Sequence, residues 1–284
     1  MNHTAATLHH KRKELNLFIR WLQSQGHSLQ VQDVTALDVM GHLQDMQERG
    51  LKPSSINTRL RSIRAWVNWM VKWEVIDSNP VAKLETVKVP KIRKPFLTKD
   101  AFQALLDICP LSELLGARRQ AMLWLFLTSG IRRAEMSMLQ LDDLLWEQDA
   151  VRVIYGKGQK ERLVSFTGEA QMVMMRYLRL RNDDRPWVWV NYQKTPQRLG
   201  YEGIGKDMDK LFQRAGLKGQ IKDVCHIFRR TLAANAVRQG VTRPHIMGHM
   251  GWSTEAMIAH YTAAMEMEAE AIEQFQKLEP FGGQ

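Results

Sequence analysis

Apolar positions recur three and four residues apart through the first third of the chain and alternate only in short stretches later. The pattern predicts helices first and a small sheet inserted afterwards. Residues 8–78 read as helices separated by polar turns, with Leu15, Phe18, Ile19 and Leu22 at helical spacing. Thr35-Ala36-Leu37-Asp38 has the form of a capped helix start. Ser54 or Ser55 can cap a third helix, in which Ile56, Leu60, Ile63, Val67 and Met70 share one face. Asn57, Arg61, Arg64 and Asn68 form another stripe of that helix, with Arg59 to one side. Arg and Asn so placed can meet base edges or phosphates in a major groove. The plainer alternative is a solvated face.

Val87 to Pro95 breaks the helical pattern, with two prolines and four lysines or arginines. Such a segment suits an extended basic linker, and Thr98-Lys99-Asp100 then starts a new helix. The apolar run Ala121 to Leu127 predicts a helix that stops at Gly130, with another just after it. Val151–Ile154 and Arg162–Ser165 alternate around Gly156-Lys157-Gly158-Gln159-Lys160, which predicts a hairpin, and Val188–Val190 is a candidate third strand. Gly251 ends one helix, and Ser253 or Thr254 can cap the next, which carries Tyr261.

Apolar content of 44% and charged content of 25% over 284 residues suit a soluble globular chain of one large domain or two ordinary ones. The longest apolar run is too short to span a bilayer, and the start of the chain has no signal-peptide pattern. Cys109 and Cys225 offer neither a disulfide framework nor metal-ligand spacing, so a cytoplasmic protein without a structural metal is expected. Net charge is +10, distributed as +7 over residues 1–95, +8 over 96–254 and −5 over 255–284. Two basic bodies suggest two DNA-contacting surfaces, and the acidic tail suggests a protein contact.

Arg132, Lys157, His226, Arg229, Trp252 and Tyr261 together supply what phosphoryl transfer on DNA needs without metal or nucleotide. Those needs are a nucleophile, fixed cations around the phosphate and a proton donor for the leaving oxygen. Arg132 stands at a helix–helix junction, held by two rigid elements, and Glu135 three residues on can orient its guanidinium. Arg133 would point elsewhere. His226 and Arg229 are three apart on a predicted helix, one turn apart on one face. Lys157, at the hairpin turn, can reach a leaving 5′ oxygen. Tyr261 is the candidate nucleophile, and because a phenol has a pKa near ~10 it needs neighbouring cations or a base, for which His226 is better placed than His260.

These motifs resemble those of the tyrosine recombinases, or phage-type integrases, over nearly the whole length. Thr128 to Glu135 is similar to that family's first arginine box, Gly156 to Arg162 to its lysine hairpin, and His226-Ile227-Phe228-Arg229 to its second box. Gly248-His249 resembles the usual third box, but His249 lies 20 residues past Arg229 and 12 before Tyr261. Trp252, at 23 and nine, fits the family register at both ends and resembles the Cre-type branch, where an indole N–H replaces imidazole. His249 is then a supporting or structural residue. Arg230 stands where many members have histidine.

The resemblance implies a mainly helical fold. Residues 1–90 would be a helical core-binding, SAM-like DNA-binding domain, 91–97 a basic linker, and 98–284 a mostly helical catalytic domain with a small antiparallel sheet and a C-terminal tail helix. Arg132, Arg229 and Trp252 would hold the non-bridging oxygens, Lys157 would protonate the 5′ oxygen, His226 would assist proton transfer, and Tyr261 would form a 3′-phosphotyrosyl bond. Asn57, Arg59, Arg61 and Arg64 are the candidate DNA contacts of the first domain. No cofactor is implied. The implied partner is double-stranded DNA with an inverted-repeat core site, bound by a homotetramer whose tails dock between subunits, with no membrane role and a place at a prokaryotic nucleoid. The chain leaves no room for an extra arm-site domain, and Trp252 departs from housekeeping chromosome-resolving members, which favours a mobile element, phage or plasmid. A type IB topoisomerase-like enzyme and a non-catalytic DNA-binding regulator are the competing expectations.

Overall fold

In a computed structural model that describes residues 5–90, 95–154, 161–192 and 195–258, the chain divides into two compact units, 1–92 and 93–284. The first is helical: α1 (Ala5–Ser24), α2 (Ala36–Glu48) and α3 (Pro53–Lys72) pack pairwise. Phe18, Leu22, Val39, Leu60, Ile63, Val67 and Met70 fill its core, whereas Ile19 faces solvent. Thr35 caps α2 as expected: its side chain accepts from the Asp38 amide, and Asp38 Oδ2 accepts from the Thr35 amide at 2.7 Å. Neither Ser54 nor Ser55 caps α3. The helix starts at Pro53 with Lys52 as N-cap, two residues before Ser54, because the fixed φ of proline already matches the helix.

The expected basic stripe on α3 divides. Asn57 and Arg59, expected as DNA contacts, are 8% and 6% exposed and bonded within the first unit. Asn57 Nδ2 donates to the Val87 carbonyl and its Oδ1 accepts from the Val87 amide, both at 2.8 Å, pinning the returning chain. Arg59 Nε pairs with Glu14 at 2.6 Å, and its Nη1 donates to His42 Nε2 at 2.8 Å, so one guanidinium ties α1, α2 and α3 together. Arg61 is exposed, and Arg64 is half-buried.

The second unit is mostly helical around a small antiparallel sheet. Its elements are α4 (Lys99–Asp107), α5 (Leu114–Ser129), α6 (Arg133–Met136), β1 (Leu144–Leu145), β2 (Ala150–Val153), β3 (Arg162–Ser165), α7 (Glu169–Leu180), β4 (Val190–Asn191), β5 (Gln197–Arg198), α8 (Tyr201–Arg214), α9 (His226–Arg238) and α10 (Arg243–Met250). Thr98 caps α4 by accepting from the Ala101 amide. The predicted hairpin forms, with Val151 opposite Val164 and Val153 opposite Arg162, and its loop 155–160 lies outside the described residues. Its third strand is Leu144–Leu145 rather than Val188–Val190, for Val190 pairs with Arg198 in a separate two-stranded sheet. Trp189 stacks on Tyr177 with centroids 5.9 Å apart, so this apolar run reads the same whether it lies in a sheet or in a core.

α5 is the buried axis, packed against α7, α9 and β3. Phe126 on it stacks on Phe228 of α9, centroids 5.7 Å apart, and Phe212 of α8 meets Phe228 edge-on at 6.0 Å. The stretch expected to be a linker is held here too. The Leu97 amide donates to Thr231 Oγ1 at 2.8 Å, and Arg230 Nε donates to the Pro95 carbonyl at 3.0 Å, which gives Arg230 a structural task. Cys109 and Cys225 are free and buried, their thiols pushed up to about 11 and about 12, which leaves them unreactive at neutral pH.

Candidate active site

α5 ends at Gly130 in the left-handed region (φ 59°), where a Cβ would stand 3.0 Å from Leu232 Cδ2 and 3.1 Å from Met250 Sδ. Any side chain there would be strained by the conformation and would press on both neighbours. Two residues on, Arg132 is the N-cap of α6, so the chain turns sharply and aims its side chain from the junction. Glu135 reaches back to it. Its Oε2 accepts from the Arg132 amide, and its Oε1 accepts from Arg132 Nη1, each at 2.9 Å. Arg132 Nη2 also donates to the Gly251 carbonyl at 3.2 Å, and its side chain stays 28% exposed. Arg133 points the other way, its guanidinium 3.6 Å from the Tyr201 ring centroid and packed against Gly205.

Glu135 is only 2% exposed. Burial alone would raise its pKa, but the hydrogen bonds from Arg162 and from the Arg132 amide, with the charge of Arg162, outweigh that and hold it below the ordinary glutamate range. His226 opens α9, its amide donating to Asp223 Oδ1 at 3.4 Å. The residue is exposed, yet desolvation of the imidazole lowers its pKa; Asp223 opposes this, and Arg229 and Arg132 add to it. The same two arginines therefore act electrostatically on one histidine, which favours a neutral ring able to exchange a proton.

Arg229 lies one turn along α9 and is 2% exposed. Its Nη1 donates to the Gly130 carbonyl at 2.6 Å and its Nη2 to the Met250 carbonyl, so it clasps the ends of α5 and α10. Its guanidinium carbon is 5.3 Å from the centroid of Trp252, itself 7% exposed. α10 ends at Gly251, again left-handed (φ 59°), and a Cβ there would stand 3.2 Å from Arg162 Cδ. His249 Nε2 bonds the Ser129 carbonyl at 3.0 Å, which requires that nitrogen to carry the proton, and burial lowers the ring's pKa.

The structure thus gathers Arg132, His226, Arg229 and Trp252 around the ends of α5, α9 and α10, with Glu135 and His249 behind them. Lys157 and Tyr261 lie outside the described residues. Sequence reading missed Arg162 and Asp223. Arg162 was visible only as the last residue of the hairpin motif, and Asp223 only as an acidic residue three before the second box. Among the described residues no His, Cys, Asp or Glu cluster is placed to hold a metal ion, and no helix is long and apolar enough to cross a membrane.

Two left-handed helix ends thus hold a cluster of arginines and histidines on a mostly helical body with a small sheet. The chain is similar to the tyrosine recombinase XerC of Oceanobacillus iheyensis, 26% identical over 272 residues that cover 92% of this chain and 87% of that protein. Its fold is similar to that of the Tn1549 transposon integrase in complex with a circular intermediate DNA (TM-score 0.75, 17% identity, 94% of this chain and 95% of that one). It is also similar to that of a lambda integrase dimer bound to a COC′ core site (TM-score 0.73, 14% identity, 92% and 89%). The model of the phage integrase family matches residues 95–268, and the chain belongs to that family. Membership supports site-specific recombination of DNA by strand exchange.

Proposed function

We propose that this chain cleaves and rejoins DNA at short inverted-repeat core sites through a 3′-phosphotyrosyl intermediate on Tyr261, working as a tetramer. The observation that carries this reading is the convergence of Arg132, His226, Arg229 and Trp252 on three helix ends, in a chain of the phage integrase family. Arg132 meets a non-bridging oxygen from its solvent-facing side. Arg229 exchanges the Met250 carbonyl for another, and the Trp252 indole completes the cradle. As Tyr261 attacks, charge grows on the phosphate, and fixed cations stabilise it without reorganising. Lys157 gives the leaving 5′ oxygen its proton, and His226 carries the proton traffic of the phenol. The phosphotyrosyl ester keeps the energy of the broken bond for rejoining, so neither metal nor nucleotide enters.

The tryptophan in the third box favours a phage, plasmid or other mobile element as host, and the work is done in the cytoplasm at the nucleoid. The acidic tail docks between subunits. Residues 1–90 with Arg61 and Arg64 grip one face of the duplex, and residues 98–284 carry the chemistry.

Tyr261→Phe removes one oxygen and no charge. On a nicked suicide duplex the wild-type chain is expected to become covalently attached to the 3′ phosphate, whereas the Phe variant binds with unchanged affinity and stays free. Covalent capture by the Phe variant would overturn the assignment.

A further inference from the structure

We propose that Arg162 is a positioning residue of this site: by sharing Glu135 with Arg132 and carrying the end of α10, it sets where Arg132 and Trp252 stand. The inference rests on the strand-transfer reading above and adds a residue to it. Arg162 is the first residue of β3, at the foot of the hairpin. Its side chain is 11% exposed, and all three guanidinium nitrogens are committed. Nη1 donates to Glu135 Oε1 at 3.0 Å, Nη2 to Oε2 at 2.7 Å, and Nε to the His249 carbonyl at 3.1 Å. The planar fork matches the carboxylate on one side and the helix end on the other, which an ammonium cannot do from one position.

Each Glu135 oxygen accepts once from Arg132 and once from Arg162. One negative charge is thereby divided between two guanidiniums, and Arg132 keeps positive charge in surplus on its open side. With Arg162 gone, a carboxylate 2% exposed would have Arg132 as its one hydrogen-bonded cation. Arg132 would then be drawn toward the carboxylate and away from solvent. At the other end, Gly251 rests on the Arg162 side chain, so the turn that presents Trp252 would lose its floor. Arg162 therefore acts through Arg132 and Trp252, without touching the phosphate.

The test is a double-mutant cycle in the full chain. The substrate is a nicked duplex carrying the site recovered by sequencing DNA held covalently by the wild type. Arg162→Gln is expected to slow covalent attachment ~10-fold or more while half-site affinity stays within ~3-fold. Because both changes disable the same Arg132, Arg132→Ala with Arg162→Gln should be little slower than Arg132→Ala alone. Independent, multiplying losses would overturn the inference, as would wild-type attachment by Arg162→Gln. If the Gln variant does not fold, Arg162→Lys is read instead. It keeps a counter-charge for Glu135 but cannot span to the His249 carbonyl, so it should bind normally and attach slowly, and wild-type speed would overturn the inference. A wild-type chain that never attaches to DNA fails the strand-transfer reading itself, a result separate from the cycle.

Discussion

At the scale of single residues the site is organised around a carboxylate. Glu135 accepts four hydrogen bonds from two arginines, so its charge is worth more than its contact with any one of them. Glu135→Gln removes the buried counter-charge of two part-buried guanidiniums, and breaking an ion pair with one buried partner should cost on the order of 1–3 kcal/mol. The folded-state pKa of Glu135 is depressed, so its contribution is fully present above the ordinary glutamate range and is lost as pH falls through the lower folded value. Denaturation of both proteins should show a wild-type advantage at pH 7 that shrinks in acid; a constant gap would contradict it. Arg132, Glu135, His226 and Arg229 could be singled out in the sequence because each sits in a short box, and Trp252 by its spacing from Arg229 and Tyr261. Arg162 could not be assigned a role there, since its partners lie 27 and 87 residues away and no local pattern announces them.

At the scale of elements, α3 shows what periodicity can and cannot tell. Its apolar face was read correctly: Ile56, Leu60, Ile63, Val67 and Met70 are all buried. Asn57, Arg61, Arg64 and Asn68 were read as one stripe with Arg59 to one side, but periodicity gives a direction around the helix and says nothing of the neighbours met there. Glu14 and His42 occupy the side that Arg59 faces, and Val87 occupies that of Asn57. Burial beside the Arg59 charge pushes His42 down to about 4, so it accepts that hydrogen bond as a neutral ring at neutral pH. Arg59→Gln should destabilise the protein and leave the salt dependence of DNA binding unchanged. Arg61→Gln should instead weaken binding to all sequences and reduce the salt slope by ~1. Binding isotherms across a range of salt concentrations measure both, and a lowered slope for Arg59→Gln would return that residue to the DNA face.

At the scale of the whole molecule, charge divides the labour. The basic residues of both units suit a polyanion, while residues 255–284 carry −5. In that tail Met265, Ile272, Phe275 and Leu278 approximate one apolar stripe in sequence, a feature that calls for a partner surface. If each protomer gives its tail to the next, the contact is heterologous and closes a ring. Truncation after Ala264 should then keep single half-site binding, abolish cooperative assembly on the full site and alter cleavage. Gel shifts and sedimentation of the truncated protein decide it, and native cooperativity would overturn docking between subunits. The helical class of both units and the hairpin could be read from pattern alone. The pairing of Val190 could not, because burial on all sides erases the alternation that marks a strand.

Three consecutive carbonyls at the end of α10 (His249, Met250 and Gly251) each accept from a different arginine: Arg162, Arg229 and Arg132. A helix C-terminus carries roughly half a negative charge. That end serves as a resident counter-ion, a partial anion around which three like charges can be assembled without flying apart. A phosphodiester entering this place would bring a whole charge to groups already gathered about the Glu135 carboxylate and this helix end. Binding would then be an exchange of acceptors by Arg132 and Arg229, while Arg162 keeps its hold on the His249 carbonyl. The two carbonyls given up belong to the turn that leads into Trp252, so engagement of the phosphate and the setting of that indole would be a single event.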